Sequence, residues 1–387
     1  MHITRRQTKS IQVGSVKIGG GAPVSVQSMT IPHPRDVKGT VEQIHRLERA
    51  GCELVRVAVP DDDAADALAS IKSQITIPLI ADIHFDHRLA LKAAKVVDCV
   101  RINPGNIGPW WKMAEVLKAV TDHGIPLRVG VNGGSLERPL LEKYGYPTAE
   151  ALAESALNAV HAIEDAGFTN MKVSLKASDV HMAVDAYWLF SRQSDYPLHL
   201  GITEAGTAMT GAIKSSIGLG WLLAQGIGDT LRVSLAADPV EEVRVGFEIL
   251  KSLELRHRGV NVIACPTCGR VEIDVVRLAN ELEQRLGHIR KPLNVSVLGC
   301  VVNGIGEGKE ADIGIAGGQG MGILFKKGKL VKKVPSEELI DRLIEEVELM
   351  ALETDEETSA SVASLPDCDE ALSLSSANRK LPVLPNR

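Results

Sequence analysis

The chain has 387 residues, 44% of them hydrophobic, and its formal net charge is −6 at pH 7. This length suits one large domain and a smaller one, and the apolar fraction is enough to fill ordinary cores. The negative balance provides no overall positive field for nucleic acid or an anionic membrane surface, so any anion-binding site must be local.

The first residues give no sign of export or membrane insertion. Residues 1–20 (MHITRRQTKSIQVGSVKIGG) contain basic side chains but no apolar segment behind them. No apolar run elsewhere reaches about 18 residues, the length that spans a membrane. We therefore expect a cytoplasmic protein whose partners include neither a membrane nor nucleic acid.

Eight short apolar runs rich in Val, Ile and Leu recur between residues 24 and 235. The runs are VSVQSM (24–29), ELVRVAV (53–59), PLIADIH (78–84), DCVRIN (98–103), PLRVGVN (126–132), NMKVSLK (170–176), PLHLGIT (197–203) and TLRVSL (230–235). Segments between them, such as VEQIHRLERAG, space apolar residues three or four apart and end near a Gly, as helices do. The alternation predicts a (β/α)8 TIM barrel over residues 1–255. An open doubly wound sheet is the alternative, but its G-x-G-x-x-G turn after the first strand is missing.

The pattern changes near residue 256. Strand-like runs at 260–264, 294–299 (NVSVLG) and 323–331 (ILFKKGKLV) alternate with helical segments near 271–287 and 336–351. This predicts a small α+β domain over residues 256–351. Residues 352–387 are acidic, rich in Ser and punctuated by Pro, so we expect a poorly ordered tail.

Three of the six cysteines lie in one segment, as CPTCG (265–269) and GCVVNGIGE (299–307). Thiolates are soft ligands that suit zinc or iron–sulfur clusters, and C-x-x-C lets two sulfurs face one metal centre. Structural zinc sites usually supply a second such pair or two histidines, which the spacing of His257 and His288 does not provide. Cys265, Cys268 and Cys300 are therefore predicted ligands of an iron–sulfur cluster, with a zinc site or a packed thiol pair as the alternative.

Glu307 is the candidate for the fourth ligand. It follows Cys300 by seven residues, in a loop whose flanking glycines let the chain bend back. A carboxylate is a hard ligand, poorly matched to a soft cluster, and should leave the metal more readily than a fourth thiolate would. We therefore expect both a ligating and a catalytic role for Glu307, against the alternative of a solvated loop carboxylate.

Five basic residues lie inside or at the end of five different predicted strands, where a cation is not normally buried without a partner. They are Arg56, Arg101, Arg128, Lys176 and Arg232. Because strand ends of a barrel converge on one mouth, these cations could surround a single ligand, and a diphosphate would need about this much charge. Each one taken singly could instead belong to a structural ion pair.

Neutral and acidic residues accompany these cations. Asn103, Asn132 and Ser234 follow three of the arginines by two or four positions, which keeps them on the same strand face. Glu204 follows the run that ends in GIT, and it could donate a proton, anchor a substrate hydroxyl or balance Lys176. Asp82 and His84 also point towards the mouth, where core or supporting roles are equally open.

Nine segments together resemble the bacterial 4-hydroxy-3-methylbut-2-enyl diphosphate synthase family. They are ADIHFD (81–86), RINPGNIG (101–108), GVNGGSL (130–136), VSLKASD (173–179), LGITEAG (200–206), IGLG (217–220), GIGDTLRVSLAADPVEEV (226–243), ACPTCGR (264–270) and GCVVNGIGE (299–307). The resemblance spans about residues 10 to 350 and rests above all on the joint presence of the cysteine pattern and the strand-end arginines.

The resemblance implies an oxidoreductase built from a (β/α)8 barrel and a ferredoxin-like iron–sulfur domain related to sulfite and nitrite reductases. The implied reaction is the reductive opening of 2-C-methyl-D-erythritol 2,4-cyclodiphosphate, with loss of water, to 4-hydroxy-3-methylbut-2-enyl diphosphate in the non-mevalonate isoprenoid pathway. Reduced flavodoxin or ferredoxin would supply the electrons. A homodimer is also implied, in which the cluster of one subunit caps the barrel of the other.

The family's residue roles fall on positions already singled out. Its [4Fe-4S] ligands fall on Cys265, Cys268, Cys300 and Glu307, and the Glu of its TEAG run falls on Glu204. Its diphosphate contacts fall on Arg56, Arg101, Asn103, Arg128, Asn132, Lys176, Arg232 and Ser234. Two alternatives remain: a non-catalytic iron–sulfur electron carrier, and a zinc-stabilised phosphate-binding barrel with hydrolase or aldolase-type chemistry.

Overall fold

A computed structural model describes residues 3–300 and 308–353 of the chain. It divides into two compact units, Met1–Arg256 and His257–Arg387. Glu307, Cys368 and the predicted tail from residue 354 onwards lie outside the described residues. Within the described ranges, no helix is both long and apolar enough to cross a membrane.

The first unit begins with an antiparallel hairpin, β1 (Ser10–Val13) and β2 (Val16–Gly19). Eight parallel strands follow along the chain: β3 (Ser25–Met29), β4 (Leu54–Ala58), β5 (Leu79–Ile83), β6 (Cys99–Ile102), β7 (Leu127–Asn132), β8 (Met171–Lys176), β9 (His199–Leu200) and β10 (Thr230–Leu231). From β3 to β8, each strand pairs with the next one in the chain, and β10 pairs with both β9 and β3. A bridge between Val173 of β8 and Leu198, the residue before β9, closes the ring. Each predicted run contains one of these strands. The predicted barrel is confirmed, and the closed ring rules out the open sheet.

Helices connect the strands and surround the barrel. They are α1 (Val37–Ala50), α2 (Asp62–Lys72), α3 (His87–Ala93), α4 (Pro104–Ile107), α5 (Trp110–Asp122), α6 (Arg138–Tyr144), α7 (Ala149–Asp165), α8 (Val180–Ser191), α9 (Ala208–Ala224) and α10 (Pro239–Ser252), with a 3-10 turn at Gly133–Ser135. Local sequence explains their ends: for α1, the Asp36 side chain accepts a hydrogen bond from the Gly39 N–H, and Gly51 ends the helix at φ 103°.

Alternate residues of each barrel strand face opposite sides. On β4, Val55 and Val57 point outward into the core shared with the helices. The inward-facing Leu54, together with Ile80 of β5 and Cys99 of β6, instead packs against three apolar side chains of the hairpin. Those three are Ile11, Val13 and Ile18. The hairpin thus closes the amino-terminal end of the barrel with an apolar plug, and the opposite end is left for the site.

Among the residues that the structure describes, the second unit contains, in chain order, β11 (Val260–Ala264), α11 (Val275–Leu286), β12 (Leu293–Leu298), β13 (Ile313–Ala316), β14 (Met321–Lys326), β15 (Lys329–Pro335) and α12 (Leu339–Leu352), and these five strands form one sheet. The strands lie in chain order; β11 to β13 are parallel, and β14 and β15 are antiparallel to their neighbours. Apolar residues of both helices form one core with the sheet. The prediction of a second, small α+β unit is confirmed.

Three local features differ from the sequence prediction. Residues 323–331 are divided between two strands, because Lys327 and Gly328 adopt positive φ values of 46° and 76° and turn the chain. Strand β13 lies inside the Gly-rich sequence GIGEGKEADIGIAGGQGMG (304–322), where no strand was predicted. The amino-terminal hairpin was also not predicted, since its strands are only four residues each.

Candidate active site

Three arginines lie inside the half of the barrel towards the carboxyl ends of the strands, which we call the upper half. Arg56 of β4, Arg101 of β6 and Arg128 of β7 are almost completely buried. The strand register places Asp82 of β5 beside Arg101, and Arg101 beside Arg128, so their side chains share the inner face. The structure therefore brings together these three basic residues that the sequence singled out.

Asp82 is the carboxylate that holds two of these arginines. Its Oδ1 accepts a hydrogen bond from Arg101 Nη1 at 2.7 Å, and its Oδ2 lies 3.7 Å from Arg56 Nη1. His84 Nε2 lies 2.7 Å from the same Arg101 nitrogen. Burial by itself raises the pKa of Asp82, but the charge of Arg56, the contact with His84 and the charge of Arg101 outweigh it, and the pKa lies well below its usual value. Asp82 is therefore ionised at neutral pH and offsets part of the positive charge.

The arginines keep hydrogen-bonding capacity that the described protein does not use. Arg128 Nε donates to Ser174 Oγ at 3.1 Å, but its Nη1 and Nη2 find no acceptor among the described residues. The same holds for Nε and Nη2 of Arg101 and for Nε of Arg56. Burial lowers the pKa of Arg56 to about 10, and burial together with the charges of Arg56 and Arg101 lowers the pKa of Arg128. Buried guanidinium groups with free N–H donors are suited to bind an anion.

A cavity of about 760 Å³ opens at the carboxyl ends of the strands. Its lining includes Asn132 at the end of β7, Lys176 at the end of β8, and Glu204 in the segment after β9. Asn132 Oδ1 is buried and finds no donor among the described residues, and burial and the nearby arginine charges lower the pKa of Lys176 well below its usual value. Glu204 is exposed and has a φ of 54°, a backbone conformation unusual for a residue other than glycine. These three predicted residues share one pocket.

Two other predicted residues, Asn103 and Ser234, lie outside the described lining of the cavity. Asn103 accepts a hydrogen bond from the Gly105 N–H at the start of α4, and its Nδ2 donates to Ser135 Oγ at 2.6 Å. Ser234 is half-buried three residues beyond β10, and the described lining of the cavity does not include it. For these two residues the geometry gives no direct support to a ligand contact.

Arg232 forms a bidentate ion pair with Glu242 of α10. Its Nε and Nη2 donate to the two carboxylate oxygens at 3.0 and 2.9 Å. Glu242 is itself buried and also accepts from Ser28 Oγ and from the Leu235 N–H. Truncation of Arg232 would leave this carboxylate buried without a counter-charge, so the arginine stabilises the fold whatever else it binds.

Two residues of the barrel interior were missed in the sequence analysis. Lys172 lies four positions before Lys176 on the same strand face, buried beside Arg128, and the period of two could have identified it. Gly130 lies between Arg128 and Asn132, and a Cβ there would come within 2.7 Å of Arg101 Nε. Any larger residue would require that guanidinium to shift, a constraint that depends on tertiary contact and has no local signal.

The described cysteines of the second unit lie near one edge of its sheet. Cys265 follows β11, Cys300 comes two residues after β12, and these neighbouring parallel strands end side by side, with Ala264 opposite Val297. Cys265 Sγ accepts a hydrogen bond from the Gly299 N–H at 3.1 Å, next to Cys300 in sequence. Cys268 is exposed in the loop after β11. Among residues 3–300 and 308–353, however, no three His, Cys, Asp or Glu side chains are close enough together to hold a metal ion.

The donor set nevertheless fits an iron–sulfur cluster by its chemistry. The thiols are free, they lie near the ends of adjacent strands, and a backbone N–H already points at one sulfur, as is usual where protein hydrogen bonds tune cluster ligands. The predicted fourth ligand, Glu307, belongs to residues 301–307, which lie outside the described ranges.

Comparison with known proteins identifies the family. Residues 8–247 match the GcpE TIM-barrel domain and residues 261–349 match the GcpE protein C-terminal domain. The chain is 57% identical over 350 residues to a protein of Geobacter sulfurreducens named 4-hydroxy-3-methylbut-2-en-1-yl diphosphate synthase (flavodoxin), a match that covers 90% of this chain and 99% of that one. A protein of the same name from Symbiobacterium thermophilum is 54% identical over 352 residues, 91% of this chain and 95% of that one.

A solved structure gives a much weaker match. Dihydropteroate synthase of Yersinia pestis is 11% identical to this chain, the match covers 63% of this chain and 98% of that one, and the TM-score is 0.46. The two family models and the two close relatives confirm the resemblance found in the sequence. The chain belongs to the GcpE family, the 4-hydroxy-3-methylbut-2-en-1-yl diphosphate synthases.

Proposed function

We propose that this chain converts 2-C-methyl-D-erythritol 2,4-cyclodiphosphate to 4-hydroxy-3-methylbut-2-enyl diphosphate by reductive ring opening with loss of water. The observation that carries the proposal is the set of buried guanidinium groups inside the barrel, whose unused N–H donors lie among strands that end at a 760 Å³ cavity. A charge-dense, water-poor site of this kind suits a diphosphate. A simple electron carrier would have no use for it.

In this proposal the arginines bind and orient the diphosphate. Arg128 offers two free Nη groups, and Arg101 and Arg56 add further donors. Asp82 fixes the positions of Arg101 and Arg56 through its two oxygens, so the site is organised before the substrate arrives. Orientation by fixed, buried donors needs little rearrangement on binding.

Residues at the cavity act on the part of the substrate that changes. Lys176 and Asn132 line the pocket above the arginines and would donate to oxygens of the substrate. Glu204 lines the same pocket, and its exposed carboxyl can exchange protons with water. We assign to Glu204 the proton that the departing oxygen needs to leave as water.

We propose that Cys265, Cys268, Cys300 and Glu307 hold a [4Fe-4S] cluster. When bound, such a cluster supplies the two electrons of the reaction one at a time. The Gly299 N–H donates a hydrogen bond to the Cys265 sulfur and so fixes its position. The names of the relatives include flavodoxin, which supports flavodoxin rather than ferredoxin as the electron donor.

We further propose a homodimer. Helix α9 carries an apolar stripe of Met209, Ile213, Ile217 and Trp221, four residues apart and each more than half exposed. A spacing of four places these side chains on one face of the helix. Exposed apolar stripes of this kind are typical of subunit contacts. If the dimer uses this face, Ile217→Glu should produce monomers in sedimentation velocity runs; an unchanged dimer would contradict the role of α9.

The central test uses the anaerobically prepared full-length protein. Iron and sulfide analysis should give about four of each per chain. Addition of the cyclic diphosphate to the reduced protein should change its EPR signal, and turnover with reduced flavodoxin should yield the linear diphosphate. A single zinc per chain would favour the zinc-stabilised barrel, and a signal insensitive to the cyclic diphosphate would favour the electron carrier.

Glu204→Gln sharpens the test of the proton role. Glutamine keeps the shape and a hydrogen-bonding end but cannot donate a proton, so we expect kcat to fall by about 100-fold or more while substrate affinity changes little. An equal loss in affinity, with kcat preserved, would assign Glu204 to anchoring of the substrate instead.

A further inference from the structure

Lys172 lies inside the barrel below the proposed diphosphate site. It occupies the inner face of β8 in register with Arg128 of β7, and its side chain has no exposed surface. Lys176, which lines the cavity, is four positions further along the same strand, roughly 13 Å by the rise of a strand. Lys172 is thus too deep to line the cavity but close enough to the arginines for its charge to matter.

The Lys172 ammonium has no hydrogen-bond acceptor among the described residues. A buried, unpaired ammonium group is costly, and lysines in such places are normally replaced by apolar residues or given a carboxylate partner. Here the titratable and charged neighbours are Cys99 on β6, Arg128 on β7, Arg56 on β4 and His199 on β9. None of these is a carboxylate, so the fold alone gives no reason for a lysine at this position.

We propose that Lys172 is a positioning residue that takes up a proton as the diphosphate binds above it, so that its positive charge supports the arginine donors when the site is occupied. This inference rests on the proposed function, because it needs a dianionic ligand at the arginines. Lys172 does not touch the substrate; it acts through the electrostatic potential at Arg128.

The charges around Lys172 explain why its proton and the anion are coupled. Burial, together with the charges of Arg128 and Arg56, lowers the pKa of Lys172 to about 8 in the free protein. An anionic charge about 10 Å away, in surroundings of effective dielectric constant about 20, raises a pKa by about one unit. Two negative charges of a cyclic diphosphate would thus move the pKa of Lys172 towards 10. At pH values between about 8 and about 10, Lys172 therefore takes up a proton when the anion binds.

The experiment is calorimetric titration of the oxidised, cluster-loaded enzyme with the cyclic diphosphate. It is done without reductant so that no turnover occurs, in buffers of different ionisation enthalpy. For the wild type we expect the proton uptake assigned to Lys172 to be small at pH 6.5 and most of one proton near pH 9. Lys172→Met, which fills the same space without a charge, should remove that difference and weaken binding at pH 7 by at least about tenfold. The ratio of the Kd of Lys172→Met to the Kd of the wild type should decrease as the pH rises from 8 towards 10.

A structural role for Lys172 makes different predictions. Because Met removes an unpaired buried charge, Lys172→Met should keep or raise the thermal midpoint, whereas loss of a structural contact would lower it. Lys172→Gln is the second variant and should show the same loss of proton uptake. Lys118→Met removes one exposed charge from α5 and should leave both affinity and proton uptake unchanged.

The outcomes separate this inference from the proposed function. If the wild type binds the cyclic diphosphate but its proton uptake equals that of Lys172→Met at every pH, the role of Lys172 is refuted and the substrate assignment stands. If the wild type does not bind the cyclic diphosphate at all, the substrate assignment and this inference both fail.

Discussion

The two ends of the barrel interior are built from the same strands but from opposite kinds of side chain. At the lower end, Leu54, Ile80 and Cys99 pack against the amino-terminal hairpin. Two positions further along the same three strands, their inner-face successors are Arg56, Asp82 and Arg101. The interior therefore changes from an apolar plug to a charged cluster within two residues along each of these strands.

This contrast separates folding from ligand binding within one interior. Barrels of this type are usually filled by branched apolar side chains throughout, and only the lower layer here follows that rule. The upper layer keeps buried cations whose donors are not all used, a cost that the apolar lower layer and the outer core of helices must offset. We therefore expect substitutions at the lower end to change stability, and substitutions at the upper end to change affinity.

The largest effect is expected for Arg128→Met. Two unused Nη groups are available to the diphosphate, and a hydrogen bond between charged groups contributes about 1.5–3 kcal/mol. The Kd for the cyclic diphosphate should rise at least about 100-fold in calorimetric titration, and the thermal midpoint should not fall. Arg192→Met is the matched control, since Arg192 is exposed at the end of α8 and stacks on Trp188. Equal affinity of Arg128→Met and wild type would break the assignment of the upper layer to binding.

Ile80→Ala tests the lower layer. Ile80 is fully buried between the hairpin and the strands, and removal of three carbons from such a site costs about 2–4 kcal/mol of unfolding free energy. Urea unfolding should show this loss, while the Kd for the cyclic diphosphate, measured well below the unfolding midpoint, should stay within about twofold. A large loss of affinity with little loss of stability would show that the two ends are not independent.

Much of this contrast could be predicted from the sequence, because it follows the strand repeat. The eight apolar runs located every strand of the barrel, and basic residues within them pointed to Arg56, Arg101 and Arg128. The alternation of side chains along a strand does not predict which partner each side chain contacts. Arg232 has the same pattern as Arg128, yet it is paired with Glu242 of α10, and that pairing depends on how the helix packs against the strands.

The predicted cluster ligands show a different limit. Thiol spacing identified Cys265, Cys268 and Cys300, and parallel pairing of β11 with β12 explains why Cys265 and Cys300 follow strands that end side by side. Their roles as ligands, and the role of Glu307, stay predictions. Gly130 could not have been found by any local pattern, since its importance comes from the Arg101 guanidinium of a neighbouring strand.

Gly130→Ala crowds the upper layer without removal of a charge. A Cβ at this position would lie 2.7 and 2.8 Å from Arg101 Nε and Nη2, so the guanidinium, which also bonds to Asp82, must shift. We expect about a tenfold rise in the Kd for the cyclic diphosphate. Gly220→Ala is the control. Gly220 lies on the outer helix α9, and a Cβ at this position would meet no atom within 4 Å. Unchanged affinity of Gly130→Ala would mean that the position of Arg101 is not critical.

Ser174→Ala is expected to have the smallest effect. Ser174 Oγ accepts the hydrogen bond from Arg128 Nε, and its loss frees the guanidinium to rotate without removal of any charge. A hydrogen bond of this kind contributes about 1 kcal/mol, which corresponds to about a fivefold rise in Kd. Ser155→Ala also removes a buried hydroxyl that bonds to a charged side chain, here Glu137, but on the outer helix α7, so it should lower stability and leave affinity unchanged. If both variants lower stability equally and neither alters the Kd for the cyclic diphosphate, Ser174 stabilises the fold and does not orient the Arg128 guanidinium for binding.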